Sequence, residues 1–185
     1  MRVLPLLAML MAASPVAAQN GFPDVAAQAR DLTFESRGPF AGLNEIGALS
    51  QAWSVNTFYA VFRGDYPVQR VFWVVRRVTG DRHGAQVVRW ADSRTCPAVQ
   101  TLLLNMEDLP SVRPDAIALG TQAPNLGIVL DGTWHTFWSS HARSGDNDAM
   151  VKLEVQGNVN SPVAQWWAVS AEALAGCWTE AEPGA

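Results

Sequence analysis

The sequence predicts an α+β fold: an antiparallel sheet with two main helices packed on one face, arranged as two ββα-like units and tied by one disulfide. Three observations carry that expectation. Two sets of β-rich segments are each followed by a helix with proline in its first turn, at Pro97 and Pro162. The only two cysteines, Cys96 and Cys177, stand at the start of the first helix and just past the end of the second. The composition, 185 residues with 49% apolar and 16% charged, suits a single globular domain with a packed core.

Taken in order, residues 1–18 read as a signal peptide. Met1-Arg2 supplies the positive end, Val3 to Met11 the apolar run, and Val16-Ala17-Ala18 the small-x-small site, so cleavage is expected after Ala18. The apolar run is shorter than the ~20 residues of a bilayer span. Further on, Val71 to Val75 is stopped by Arg76-Arg77, so the mature chain, residues 19–185, is expected to be soluble, exported (periplasmic or secreted) and not inserted in a membrane. Residues 19–56 are weakly patterned. A short helix is expected over Pro23–Leu32, and a second over Leu43–Trp53, weakened by Gly47.

Clearer signals follow. Thr57 to Arg63 alternates aromatic and β-branched residues and reads as a strand, ended by Gly64 to Pro67. Val68 to Ala91 reads as a hairpin turning at Gly80 to Gly84. The first helix follows, capped by Ser93 or Thr95, with Val99, Leu102, Leu103 and Met106 as its apolar stripe. Residues 115–119 and 126–130 read as short strands, and Asp131-Gly132 as a hairpin turn. A strand over Thr133–Ser139, a polar loop over Ser140–Asp148 and a strand over Ala149–Gln156 come next. The last helix is capped by Ser161, starts at Pro162 and buries Val163, Trp166, Trp167, Ser170 and Leu174, with Gly176 as the stop signal. Cys-Pro-Ala-Val-Gln (96–100) and Ser-Pro-Val-Ala-Gln (161–165) echo each other, a match short enough for convergence of Pro-initiated helices.

In an oxidising compartment the two cysteines are expected to pair, Cys96 with Cys177, closing a long loop worth about 4–4.7 kcal/mol in the chain-entropy model. Bridged Cα atoms stand ~4.4–6.8 Å apart, which is easiest if the two helices lie side by side and antiparallel.

Chemical motifs are sparse. Net charge −4 and a pI near 5.3 leave no basic footprint for nucleic acid. Nucleophile elbow, phosphate loop, dinucleotide fingerprint and His-Glu-x-x-His are all absent from the sequence. The histidines are His83, His135 and His141, the last two in the polar segment Asp131–Asp148. On a straight strand His135 and His141 would stand ~20 Å apart, too far to share a metal. Asp146-Asn147-Asp148 lacks the Gly and Glu of a calcium loop, so no metal and no cofactor is expected. Glu35, Glu45, Glu107 and Glu154 are candidate acids only in the general sense. Arg76, Arg77, Arg82, His83 and Arg89 read as a solvated hairpin rather than an anion site.

Eight tryptophans, against two tyrosines, are the remaining signal. Trp134 and Trp138 share one face of a strand, with His135 and Phe137 on the other; Trp166 and Trp167 belong to the core. The expectation is a small exported, non-enzymatic protein that binds a protein partner, or less favourably a glycan, through an aromatic sheet surface of Trp134, Trp138, Trp73 and Trp90. The rival readings are a hydrolase using His135 or His141 with a nearby Asp, and a structural envelope component.

Overall fold

A computed structural model describes residues 22–49, 52–81, 86–107, 109, 132–144 and 149–184. The signal peptide and its cleavage site, His83 and the hairpin tip, the strands expected at 115–119 and 126–130, Asp131, and the Asp146–Asp148 run lie outside them. Helix α1 (Phe22–Asp31) is followed by strands β1 (Ala41–Gly47), β2 (Trp53–Arg63), β3 (Arg70–Gly80) and β4 (Gln86–Asp92). Helix α2 (Ala98–Glu107), β5 (Thr133–Ser144), β6 (Ala149–Gly157) and α3 (Pro162–Ala173) complete the order. The six strands form one sheet, β4-β3-β2-β1-β5-β6, with every neighbouring pair antiparallel. This is the expected α+β architecture.

Three local expectations are corrected. Leu43–Trp53 is no helix: it supplies β1 and the start of β2. Ala41, Gly42, Leu43 and Asn44 are all buried, because β1 pairs on both sides, with β2 and β5. Burial in the middle of a sheet overrides weak local propensity. Gly42 is needed there, since a Cβ would stand 2.5 Å from Cζ2 of Trp138 and 2.7 Å from the Asn56 carbonyl. Second, Ser140 to Ser144 continue β5 rather than opening a loop, across a register shift between Ser139 and Ala142. Third, neither proposed α2 cap is used as one. Ser93 Oγ accepts from the Trp73 N–H at 2.9 Å, and Thr95 Oγ1 donates to the Asp92 carbonyl at 3.2 Å. At α3 the expected cap is present, with Ser161 Oγ accepting from the Ala164 N–H at 3.2 Å and Pro162 in the first turn.

Helices α2 and α3 pack on each other and on one face of the sheet. Their stripes meet Ala41, Leu43, Phe58, Val75, Ala91 and Phe137 in the main core. Trp166 anchors it, edge-on to Phe137 and Phe58 at 5.8 and 6.5 Å between centroids, its Nε1 donating to the Leu102 carbonyl at 3.3 Å. The Cys96–Cys177 disulfide is formed, with Cα atoms 5.7 Å apart, so the start of α2 lies beside the end of α3. Beyond it the chain turns along the β4 edge, where Trp90 and Thr179 exchange backbone hydrogen bonds of 2.8 and 2.9 Å. A smaller core on the opposite face gathers Phe34, Tyr59, Val61, Phe72, Val74 and Trp90. The α1 end is fastened there by the Tyr59 hydroxyl, which donates to the Leu32 carbonyl at 3.1 Å, and by Arg30 over the Trp138 ring. Among the described residues no helix is long and apolar enough to cross a membrane.

Candidate functional site

Strand register places the helix-covered side chains in rows. Phe137, Leu43, Asn56 and Arg77 are neighbours across β5, β1, β2 and β3; the next row holds His135, Glu45, Ser54 and Thr79. Residues two apart on a strand share a face, so these rows continue the face that carries Phe58, Val75 and Ala91. The core thus gives way, within one same-face step, to a polar cluster beneath α3.

Glu45 is its hub. Ser54 Oγ donates to Glu45 Oε2, and Asn56 Nδ2 lies 3.5 Å from the same oxygen. Asn56 Nδ2 also reaches Ser54 Oγ at 3.2 Å and the Leu43 carbonyl at 3.4 Å. Arg77 Nη2 stands 3.5 Å from Glu45 Oε2, and His135 Nε2 stands 3.8 Å from Oε1. The Arg77 guanidinium lies over two indoles, Trp178 at 4.9 Å and Trp167 at 5.6 Å, which hold it as a cation against ring faces. The side chains of Glu45 and Arg77 are each 22% exposed, so solvent reaches the pair.

Its hydrogen bonding is incomplete. Arg77 Nε, Asn56 Oδ1, His135 Nδ1, Trp167 Nε1, Trp178 Nε1 and Ser170 Oγ are buried and find no partner. Ser170 is three residues beyond Trp167 on α3 and shares its buried face. Buried polar atoms are paired in the great majority of cases, and each orphan costs about 1–3 kcal/mol. Such a concentration of donors and acceptors equips the cluster to take hydrogen bonds from a polar ligand.

As catalytic chemistry the arrangement offers less. The carboxylate beside His135 is Glu45, not the Asp expected from sequence, and the Ser54 hydroxyl donates to that carboxylate rather than to the imidazole. A nucleophile in contact with its base, the signature of an acyl-transfer triad, is not what these three residues form. His141 is exposed, its Nδ1 2.9 Å from Ser140 Oγ. Among the described residues no group of three His, Cys, Asp or Glu is placed to hold a metal.

The four tryptophans singled out from the sequence do not form one surface. Trp73 lies on the helix-covered face, packed against the main core. Trp90 and Trp138 lie on the opposite face, buried, Trp90 under Phe34 and Arg76 and Trp138 under Arg30. Trp134 alone is substantially exposed, at 43%, beside Ile46, which in turn neighbours Trp53 across β1 and β2. Of the candidate acids, only Glu45 joins the cluster. Glu35 pairs with Arg63, whose hydrogen bond holds its carboxyl below the usual range; Glu154 pairs with Arg30 at 2.8 Å; Glu107 is exposed at the end of α2.

Sequence reasoning missed Ser54, Asn56, Arg77 and Trp178. The usable signal was the alternation Ser54-x-Asn56-x-Phe58, which puts polar residues at core-facing positions once 53–58 is read as strand. Arg76 and Arg77 looked like one basic stop signal, but as strand neighbours they face opposite sides. The chain matches no family model, no curated protein and no solved structure.

Proposed function

We propose that the protein is an exported, non-enzymatic binding protein that takes a small polyhydroxylated ligand, a saccharide unit, into the polar cluster beneath α3. The observation that carries this reading is the set of buried, unpaired polar atoms on the residues that contact the Glu45–Arg77 pair: Arg77 Nε itself, Asn56 Oδ1, His135 Nδ1, and Nε1 of the two indoles under the guanidinium, Trp167 and Trp178. They are mixed in kind: Arg77 Nε and the Trp167 and Trp178 Nε1 atoms donate, Asn56 Oδ1 and the Glu45 carboxylate accept. Sugar hydroxyls do both, and the opposed charges of Glu45 and Arg77 favour a neutral ligand over an ion. Export is supported by the leader-like residues 1–18 and by the formed disulfide.

Calorimetric titration of the full chain with neutral mono- and disaccharides tests it. Saturable binding is expected, with a change in Trp fluorescence from Trp178, and Arg77→Met should weaken it at least about tenfold. Absence of saturable heat up to about 10 mM of every neutral sugar would sink the proposal. A protein partner at the other face keeps one specific support, the exposed ring of Trp134 in the row with Ile46 and Trp53. Trp134→Ala separates the two seats: it should leave saccharide titrations unchanged.

A further inference from the structure

We propose that the protein self-associates through β6, which pairs antiparallel with β6 of a second copy across a two-fold axis at Leu153. The two edges of the sheet are finished differently. The β4 edge is partly closed by the Trp90–Thr179 backbone pair. The β6 edge has no partner strand among the described residues, and Met150 (70% exposed), Val151 and Leu153 (39% each) lie open on it. Strand edges left in this condition recruit another strand, because a row of N–H and C=O groups is ready to pair.

The sequence of β6 selects the occupant. Val151-Lys152-Leu153-Glu154-Val155 is self-complementary when run antiparallel about Leu153. Lys152 of each copy then stands opposite Glu154 of the other, Val151 opposite Val155, and Leu153 opposite itself. Opposite charges in cross-strand positions are favourable and like charges unfavourable. Moving the axis one residue either way places Lys152 against Lys152 or Glu154 against Glu154, so charge fixes the register. An axis on a residue, rather than between two, also keeps α2 and α3 of both copies on the same side of a continuous sheet. Lys152, the only lysine of the chain, is the edge charge that would ordinarily discourage pairing, and here the partner's Glu154 answers it. Glu154 already meets Arg30 at 2.8 Å, an exposed pair that leaves the carboxylate able to serve a second cation. The contact is isologous, which closes at two copies.

Sedimentation of the full chain over micromolar to high-micromolar concentrations tests the proposal, with far-UV circular dichroism to show that each variant is folded. Wild type is expected to dimerise reversibly. Lys152→Glu and Glu154→Lys should each weaken dimerisation about tenfold or more, and the double exchange K152E/E154K should restore it. A wild type that stays monomeric throughout overturns the inference. So does a dimer indifferent to both single exchanges, or a double exchange no better than the singles.

Discussion

The helix-covered face of the sheet is built in opposite ways at its two ends by the same four strands. At one end Leu43, Phe58, Val75 and Phe137 form a dry core under Trp166. One same-face step along each strand, about 7 Å, brings Glu45, Asn56, Arg77 and His135. The first end is a continuous cluster of buried apolar side chains. The second keeps charges partly covered and buried polar atoms of Asn56, Arg77, His135, Trp167 and Trp178 unpaired, a conflict that natural proteins carry at functional sites. The packing places stability at the apolar end, and the proposed binding falls at the polar one.

The largest expected effect lies at the apolar end. Trp166→Ala removes a ring packed on Phe58 and Phe137 and a hydrogen bond to Leu102, and should cost about 3–5 kcal/mol in urea unfolding. A cost below 1 kcal/mol would mean that this end is not the anchor. Next comes the disulfide joining the helix ends. Cys96→Ala with Cys177→Ala should lower stability by about 2–5 kcal/mol, read as a drop in thermal midpoint that reductant reproduces in the wild type.

Much of the apolar end was legible in the sequence. Val163, Trp166, Trp167, Ser170 and the cap residue Leu174, which the 3.6-residue periodicity marked, are all buried, with Ala164 buried beside them; of the α2 stripe Val99, Leu102 and Leu103 are buried and Met106 partly so. The cysteine positions anticipated the adjacency of the helix ends. The polar end was not legible, because it exists only through strand pairing. Glu45 meets Ser54 and His135 by lying between them in register, and β1 itself, with Gly42, Asn44 and Gly47, carries no alternation strong enough to declare a strand. The covering of Trp138 was equally hidden, since it depends on where Arg30 of α1 comes to rest.

A change of opposite sign sharpens the contrast. Ser170 presents a buried hydroxyl without a partner, so Ser170→Ala removes a desolvated polar group and replaces it with a better helix former. A gain of about 1 kcal/mol is expected, together with weaker saccharide binding. A loss of stability would show that the hydroxyl is engaged in the folded protein and that the polar end is ordinary structure.

The smallest effect tests whether charge outside this face matters at all. Glu35 and Arg63 form an ion pair near the turn that holds Phe34 in the second core. The hydrogen bond from Arg63 lowers the Glu35 pKa below its ordinary value. A carboxyl depressed in the folded state contributes stability above its unfolded pKa, about 4.3, and loses it as pH falls through the folded value. Glu35→Gln imitates the protonated carboxyl. Urea midpoints of wild type and variant should therefore separate above about pH 5, converge in stronger acid, and separate less at high salt, since the pair is partly exposed. An offset that stays constant down to the acid limit would place the effect in packing around the turn and not in the ion pair. Either outcome leaves the polar end beneath α3 as the only place on the helix-covered side where a carboxylate, a guanidinium and an imidazole meet among the described residues.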